Sequence, residues 1–483
     1  MNNSKKTIKS IIGVTLSNCT TILSGIVIGF LIPKILSVNS YGLYKTFTLY
    51  TTYIGFFSLG IIDGIVLDYG GYNFEQLNKE KFRSFFKWYM FVHFIGLIAL
   101  AIVSFFLKDN DFKFIILLLG IDMIAVNVTG YFQQISQFTQ RFHEYSVRKV
   151  LQSVSNIVII LLMFGYYYTQ QSEIGYQIYV IALVMVNLLL TVWYVYTYRS
   201  ISFGKAEKMS DTKAEILHLI KIGFPLLFAN LCATLILTLD RQFVNILFDT
   251  STYAVYAFAY NMLSLVTVAT SAVATVLYPT LKRSTKESMV DNYPRLIALM
   301  LLLVFAANAV YFPLCGFVKW FLPKYNDSLV IFRIIFPGLA ISSAITVIMH
   351  NYCKVLGKNL RYFLKSLIVL GISGLANGIA YAIFKTPASI SVASIITMII
   401  WYLFIEQYFV KEIEYKRWKN LVYLLLMIAI FYVSSAIPNM WLGFASYIFI
   451  YIVITYLFFK KVIVSSLRKV FDKHLGSGTI KNL

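Results

Sequence analysis

The sequence predicts an all-α polytopic membrane protein with about 14 transmembrane helices. Apolar segments of about 20 residues recur from residue 11 to residue 464, and only short loops separate them. A hydrocarbon core of ~30 Å needs ~20 apolar residues as a helix, because no water is there to satisfy an open backbone. The composition agrees, with 59% hydrophobic and 13% charged residues and a mean hydropathy of +0.74.

The spans follow one another with no loop long enough to form a separate domain. The first span is too long and too polar for a cleaved signal peptide, so we interpret it as retained. In chain order, the predicted spans are residues 11–36, 42–64, 85–107, 113–136, 150–168, 177–198, 216–247, 253–281, 293–318, 327–350, 362–384, 389–410, 421–437 and 442–464.

The loops alternate between basic and nearly neutral. With the N-terminus inside, the inner segments hold 32 of the 42 Lys and Arg, and the outer loops hold 6. This positive-inside bias predicts that both termini are cytoplasmic and that the number of spans is even. The net charge of +21 therefore indicates contact with anionic membrane lipids, and no nucleic-acid partner is predicted.

A faint internal repeat predicts two lobes. Residues 40–44 (Ser-Tyr-Gly-Leu-Tyr) open span two, and residues 252–256 (Thr-Tyr-Ala-Val-Tyr) open span eight. Parallel repeats of this kind build secondary transporters, which bind substrate between the halves, although chance similarity between apolar segments is the alternative. The predicted organisation is an N-terminal six-helix lobe at 1–198, a cytoplasmic linker at 199–215, a C-terminal six-helix lobe at 216–410, two extra helices at 411–464 and a cytoplasmic tail at 465–483.

Span seven carries a polar stripe. At 100° per residue, Asn230, Thr234, Thr238, Arg241 and Asn245 fall within about 80° of one another, while the neighbouring Asp240 points toward another helix. One interpretation is an aqueous cavity with a cation for an anionic ligand. The other is a packed stripe of small polar residues, with Asp240 and Arg241 in structural ion pairs.

Other charged residues lie inside spans, where each is costly and therefore a candidate for function. Lys45 either faces a cavity or extends to the outer interface. Arg333 either lines a cavity or forms a structural pair, just before a Pro-Gly pair that is expected to loosen its helix. Asp122, near the midplane, either carries a proton or pairs with a Lys or Arg. Asp63 and Glu406 lie near inner ends, where hydration is the simpler interpretation.

Enzyme signals are missing from the sequence. There is no Gly-rich phosphate loop, no pair of acids in a cytoplasmic loop and no long outer loop, and the 4 cysteines are scattered. No catalytic residue, cofactor or metal site is predicted.

Several short motifs, in this order and spacing, resemble the polysaccharide flippases of the multidrug/oligosaccharidyl-lipid/polysaccharide exporter superfamily along essentially the whole chain. They are Tyr41-Gly42-x-Tyr44, Ser58-Leu59-Gly60-Ile61-x-Asp63-Gly64, Gly223-Phe224-Pro225, Asp240-Arg241 and Tyr278-Pro279. The chain departs from two related groups, the lipid II flippases and the drug extruders, because its first span carries no acidic residue and no charge before Lys34 at its end.

The resemblance implies an alternating-access carrier in the bacterial cytoplasmic membrane. Its cargo is an undecaprenyl-diphosphate-linked oligosaccharide repeat unit of O-antigen, capsule or exopolysaccharide, which it moves from the inner to the outer leaflet. A H⁺ or Na⁺ gradient would drive it, and a polysaccharide polymerase is a possible partner. The candidate substrate-binding residues are Lys45, Asn230, Thr234, Arg241, Asn245 and Arg333, and the candidate ion-coupling residues are Asp122, Asp240 and Asp63.

Two other functions stay open. A cation-coupled multidrug exporter of the same superfamily would favour acidic residues in its cavity, whereas the candidates here lean basic. A membrane-embedded polysaccharide polymerase or acyltransferase would need a sizeable outer loop or catalytic His and acidic residues on one side.

Overall fold

The computed structural model describes residues 2–170, 172–282, 284–413 and 417–475, and these are helical with no β-strand among them. Eleven helices in this part of the chain are long and apolar enough to cross a membrane, or up to 13 spans if two bent pairs are counted. The helix Thr250–Lys282 lies where the eighth span is predicted. The all-α polytopic prediction is therefore confirmed, and each of the predicted spans has a helical counterpart.

Contacts divide the chain into two units, which comprise Met1–Asn261 with Asn359–Leu370, and Met262–Lys358 with Gly371–Leu483. The first contains α1 Asn2–Ile35, α2 Val38–Thr51, α3 Ile61–Tyr69, α4 Lys79–Phe106, α5 Asn110–Phe138, α6 Phe142–Gln170, α7 Tyr176–Thr197, α8 Arg199–Ser202, α9 Met209–Leu247 and the start of α10 Thr250–Lys282. The second contains the rest of α10, α11 Lys286–Ala307, α12 Tyr311–Phe321, α13 Ser328–Ile335, α14 Gly338–Ser343, α15 His350–Val355, most of α16 Asn359–Phe384, α17 Pro387–Ile413, α18 Trp418–Ser435 and α19 Met440–Leu475.

The boundaries of the two predicted six-helix lobes remain a prediction from the sequence repeat. The last helix, α19, continues into the predicted cytoplasmic tail, and residues 476–483 of that tail lie outside the described residues.

Span two is broken rather than straight. After α2, a 3₁₀ turn runs over Ile54–Ser58, and Leu59 (φ 49°) and Gly60 (φ 78°) adopt left-handed backbone conformations before α3 begins. The two parts of the span meet at an angle of 56°. Glycine accepts a positive φ without steric cost, which explains why the break ends at Gly60.

The helices α3 and α9 touch backbone to backbone beside this break. A Cβ atom added to Gly223 would lie 2.0 Å from the carbonyl oxygen of Gly60, and one added to Gly64 would lie 2.2 Å from that of Leu219. Small residues permit such close approach of membrane helices. The three glycines therefore fix where α9 lies relative to the broken span.

Aromatic side chains fill the core of the first unit. The rings of Phe132, Tyr194 and Tyr198 stack with interplanar angles of 7° to 22°, and all three side chains are fully buried. The hydroxyl of Tyr198 pairs with that of Ser136 at 2.7 Å, which satisfies the polar end of a buried tyrosine. This packing joins α5 to α7.

Span ten of the second unit is also bent, by 45° between its parts Ser328–Ile335 and Gly338–Val355. Pro337 lies at the bend and has no N–H to donate to the preceding turn. A π-helical turn, Ala344–Met349, follows. The loosening that the Pro-Gly pair predicts is therefore present.

Candidate functional site

Lys45 of α2 is half-buried, and the side chains that contact its ammonium are uncharged. Its Nζ donates to Oδ1 of Asn261 at 3.2 Å and lies 5.3 Å and 5.2 Å from the ring centroids of Tyr41 and Tyr44. The Asn261 amide nitrogen donates to the Gly29 carbonyl at 2.8 Å, which turns the amide oxygen toward the lysine. The ammonium is thus held by an amide and two π faces, and none of the ion pairs in the described part of the chain includes Lys45.

Arg241 of α9 is the second cation of this region. Its Cζ lies 4.5 Å from the centre of the Tyr260 ring, and Nη2 donates to the Leu237 carbonyl of its own helix at 2.8 Å. Its Nε is buried and has no hydrogen-bond partner among the described residues. Lys45 and Arg241 contact neighbouring residues of α10, Asn261 and Tyr260, so the chain brings two of the predicted binding residues together.

Asp240 is buried beside these cations, and its carboxylate accepts hydrogen bonds from other groups. Its Oδ2 accepts hydrogen bonds from the hydroxyls of Tyr256, at 2.8 Å, and Tyr260. Its Oδ1 accepts the backbone N–H of Arg241 at 2.8 Å. The carboxylate points toward α10, as the helical angles predict, and its hydrogen bonds come from two tyrosines and a main-chain N–H.

The electrostatic balance of this cluster is positive. Two basic side chains, Lys45 and Arg241, and one carboxylate, Asp240, contact Asn261 and Tyr260 on the same stretch of α10. An unbalanced cation in a low-dielectric region is unfavourable unless an anion joins it. The cluster is therefore suited to an anionic ligand and unsuited to a cationic one.

The C-terminal half of the polar stripe on α9 contacts span two. The Thr238 hydroxyl pairs with that of Tyr53 at 2.6 Å. The Asn245 amide donates to the Thr46 hydroxyl at 2.7 Å and accepts from the Tyr50 hydroxyl at 3.2 Å. These bonds connect α9 with α2 and the residues just after it, so this half of the stripe is a polar helix–helix contact next to the two cations.

The other two candidates on the stripe do not join this cluster. Asn230 is exposed, and the Thr234 hydroxyl donates to the Asn230 carbonyl of its own helix at 3.0 Å. At 1.5 Å per residue, Asn230 lies about 16 Å along α9 from Arg241. They remain predicted binding residues, at a distance from the cations.

Asp122 of α5 has a different environment. It is buried, and its Oδ1 accepts one hydrogen bond from the Asn187 amide at 2.8 Å. Asn187 in turn accepts from the Gln152 amide at 3.0 Å. No ion pair of the described residues includes Asp122, so the predicted alternative of a Lys or Arg partner is not what the structure shows.

Asp63 and Arg333 lie apart from the cluster. Asp63 is half-buried in the first turn of α3, where the partial positive charge of a helix N-terminus favours a carboxylate. Arg333 lies on α13 in the second unit, with Nη2 3.5 Å from the Tyr432 carbonyl of α18. The Tyr432 hydroxyl donates back to the Ile334 carbonyl at 2.8 Å, so Arg333 belongs to an α13–α18 contact.

The interpretation of Glu406 as a hydrated residue is wrong. Its side chain is fully buried in α17, and the Tyr402 hydroxyl donates to its Oε1 at 3.1 Å. The sequence places it near a span end at residue 410, but α17 continues to Ile413, so Glu406 lies deeper in the helix than that end implies. Nor do three His, Cys, Asp or Glu side chains meet as a metal site anywhere in the described residues.

The family model for the polysaccharide biosynthesis protein family matches residues 7–285 of the chain, which include α2, α9 and the two cations. The chain belongs to this family. No curated protein matches it by sequence.

Solved structures with the same fold are distant in sequence. Lipid II flippase MurJ, in an inward closed conformation, matches with a TM-score of 0.66 and 16% identity over 94% of this chain and 100% of that chain. An outward-facing multidrug resistance MATE family transporter of the MOP superfamily gives a TM-score of 0.57 and 13% identity over 84% and 96%. A MOP superfamily transporter from Pyrococcus furiosus gives 0.56 and 12% over 84% and 97%. This family member therefore has the fold of MOP superfamily transporters.

The site contains residues that the sequence reasoning missed, namely Asn261, Tyr256 and Tyr260 of α10. Tyr253, Tyr256 and Tyr260 follow at three- and four-residue spacing, with Asn261 next. That spacing indicates one face of a helix, and it was the available signal. No sequence pattern could identify Asn261 as the partner of Lys45, because the two residues are 216 positions apart.

Proposed function

We propose that this member of the polysaccharide biosynthesis family is a flippase. It moves undecaprenyl-diphosphate-linked oligosaccharide repeat units from the inner to the outer leaflet of the cytoplasmic membrane by alternating access. The observation that carries the proposal is the pair of cations, Lys45 and Arg241, inside the membrane-spanning part of the first unit, with one carboxylate beside them that is bound by tyrosines.

The chemistry of the cargo matches this pair. A diphosphate diester carries two negative charges that must lose water midway across the bilayer, and buried cations compensate for that loss. Arginine is suited to phosphate because its planar fork can donate two parallel hydrogen bonds. The buried Nε of Arg241 has no partner among the described residues, so a donor is available for a phosphate oxygen.

Ion coupling is assigned to Asp122 in this proposal. A buried carboxylate with a single amide donor is stable in a membrane only when a proton or a cation neutralises it. Loss of H⁺ or Na⁺ in one access state and its return in the other would tie the conformational cycle to an ion gradient. A polymerase that consumes the units in the outer leaflet would complete the pathway.

The test is binding of undecaprenyl diphosphate to the purified protein in lipid nanodiscs. Arg241→Ala removes a charged donor to phosphate, a bond of about 1.5–3 kcal/mol, so binding should weaken about 10- to 100-fold. Arg241→Lys should recover part of this loss, because the charge returns without the fork. Lys45→Ala should also weaken binding.

The matched control is Lys221→Ala, which removes an exposed cation from the same helix. It should bind like the wild type. Flipping of the lipid-linked glycan in vesicles should follow the binding series. Unchanged binding in a folded Arg241→Ala protein would refute the assignment, and extrusion of cationic drugs in its place would favour the multidrug exporter.

A further inference from the structure

Tyr260 connects the two charged residues that are adjacent in sequence on α9. Its hydroxyl donates to Oδ2 of Asp240, while the face of its ring lies 4.5 Å from Cζ of Arg241. The side chain is 8% exposed. One end of the tyrosine is therefore anchored on the carboxylate, and the ring is held under the guanidinium.

Tyr256, one turn earlier on α10, shares the anchor. Its hydroxyl donates to the same Oδ2 at 2.8 Å, and its ring lies 5.5 Å from that of Tyr260 at an interplanar angle of 38°. The contact between the two rings restricts how far the Tyr260 ring can turn. The chain thus offers two tyrosines with the same hydrogen bond, of which Tyr260 supports Arg241.

The guanidinium of Arg241 is held from two directions. The Leu237 carbonyl accepts from Nη2 at 2.8 Å, and the Tyr260 ring attracts the planar cation from its face. Without the ring, a long flexible side chain would sample other rotamers. Both contacts leave Nε free of a protein partner among the described residues.

We propose that Tyr260 is a positioning residue, which holds the Arg241 guanidinium in the orientation that receives the diphosphate of the cargo, and that Asp240 serves as the anchor of this ring. The inference rests on the proposed function, since it assigns a task to a residue beside the same site. It also separates the two carboxylates, with Asp240 structural and Asp122 left for the coupling ion.

The experiment measures equilibrium binding of undecaprenyl diphosphate to the full chain in nanodiscs. Tyr260→Leu removes the ring, and a cation–π contact between desolvated groups is worth a factor of about 5 to 30 in binding. Tyr256→Phe and Tyr260→Phe each delete one hydroxyl from the same carboxylate oxygen. We expect Tyr256→Phe to bind within about twofold of the wild type, and Tyr260→Phe to bind more weakly because its ring is no longer anchored.

The double variant Arg241→Ala/Tyr260→Leu distinguishes positioning from a general structural role. If Tyr260 acts through Arg241, its removal should weaken binding no further once the arginine is gone. Equal losses for the two Phe variants, independent losses in the double variant, or unchanged binding in Tyr260→Leu would each overturn the inference. If Tyr260→Leu does not fold, the comparison of the two Phe variants decides.

Failure of the proposed function looks different in the same data. If Arg241→Ala binds like the wild type, or the wild type does not bind the diphosphate at all, the flippase site itself is wrong, and the positioning role is lost with it. If Arg241→Ala weakens binding but the Tyr260 variants behave like the Tyr256 variant, only the further inference fails.

Discussion

Two aspartates in the first unit show how neighbours decide the chemistry of a buried carboxylate. Asp240 accepts three hydrogen bonds, from Tyr256, Tyr260 and a backbone N–H. Asp122 accepts one, from the Asn187 amide. The first carboxylate is held rigidly by donors, while the second retains acceptor capacity that a proton or a cation can use.

Asp122→Asn tests the coupling role. The amide removes the titratable group at nearly constant volume, so the protein should fold while its transport no longer responds to an imposed ion gradient. Flipping of lipid-linked glycan in vesicles, with and without a gradient, provides the measurement. Asp240→Asn serves as the comparison and should keep the gradient response, and an unaltered response in Asp122→Asn would remove Asp122 from the mechanism.

At the residue scale, sequence reasoning identified the faces of a helix but not the contacts of its side chains. Helical angles predicted that Asp240 and Arg241 face different ways, yet Tyr260 of α10 contacts both, through its hydroxyl and its ring. The charge of Asp122 predicted a Lys or Arg partner as one alternative, whereas an amide of α7 binds it. Periodicity within one helix defines a face, but it holds no information on which other helix covers that face.

At the scale of helices, a few glycines determine where neighbouring helices lie. The break in span two and the α3–α9 contact depend on Gly60, Gly64 and Gly223. The sequence shows these glycines in its motifs, yet the span predicted over residues 42–64 includes no bend. The bend could not be predicted because it depends on the α9 backbone lying against α3, which is a long-range contact.

Gly223→Ala should destabilise the first unit. The added Cβ would lie 2.0 Å from the Gly60 carbonyl oxygen and 2.5 Å from the Gly64 amide nitrogen, and relieving such an overlap costs about 1–3 kcal/mol. The thermal unfolding midpoint in detergent should fall. Gly165→Ala is the control, because nothing lies within 4 Å of a Cβ there. A midpoint for Gly223→Ala equal to that of the control would contradict the contact.

Asp249 fixes the start of α10. Its carboxylate accepts the Thr252 N–H at 3.3 Å and the Ser251 hydroxyl at 2.8 Å, as an N-cap does. Asp249→Ala should therefore lower the free energy of unfolding by about 1 kcal/mol. Asp249→Asn should retain most of the stability that the cap contributes. Thermal unfolding of the two variants measures the difference in their free energies of unfolding.

The same cap should depend on pH. The hydrogen bond from the Thr252 side chain holds the pKa of the Asp249 carboxyl below its usual value. Its contribution is therefore fully present above the unfolded pKa of about 4 and is lost as the pH falls through the lower folded pKa. Between pH 8 and pH 5 the stability difference between wild type and Asp249→Asn should stay constant. A change in that interval would mean that another group controls the cap.

The prediction from sequence is most accurate at the scale of the whole molecule. Each of the predicted spans has a helix in its place, because ~20 apolar residues in a row leave a membrane chain few alternatives. The lobe boundary at residues 199–215 depends on the sequence repeat alone and stays a prediction, and the units defined by contacts are a separate division of the chain.

Orientation in the membrane is the global property that charge predicts. A cysteine in place of Asn110, exposed at the start of α5, should react with an impermeant thiol reagent added outside the cell. One in place of Asn78, exposed before α4, should react only after the membrane is opened. The 32 to 6 distribution of basic residues is the reason. Reverse labelling at either site would overturn the topology.

The break in span two also bears on whether protons can leak across the membrane along the bent helix. A bent helix commonly leaves a carbonyl open to water, and a file of waters conducts protons. Here the Ile54 carbonyl accepts the Asn127 amide at 2.9 Å, and that amide also donates to His93 Nε2 at 2.8 Å. The imidazole is held through its other nitrogen by the Tyr89 carbonyl at 2.8 Å. Because the Asn127 side chain occupies this carbonyl, the bend leaves it closed to such a file of waters.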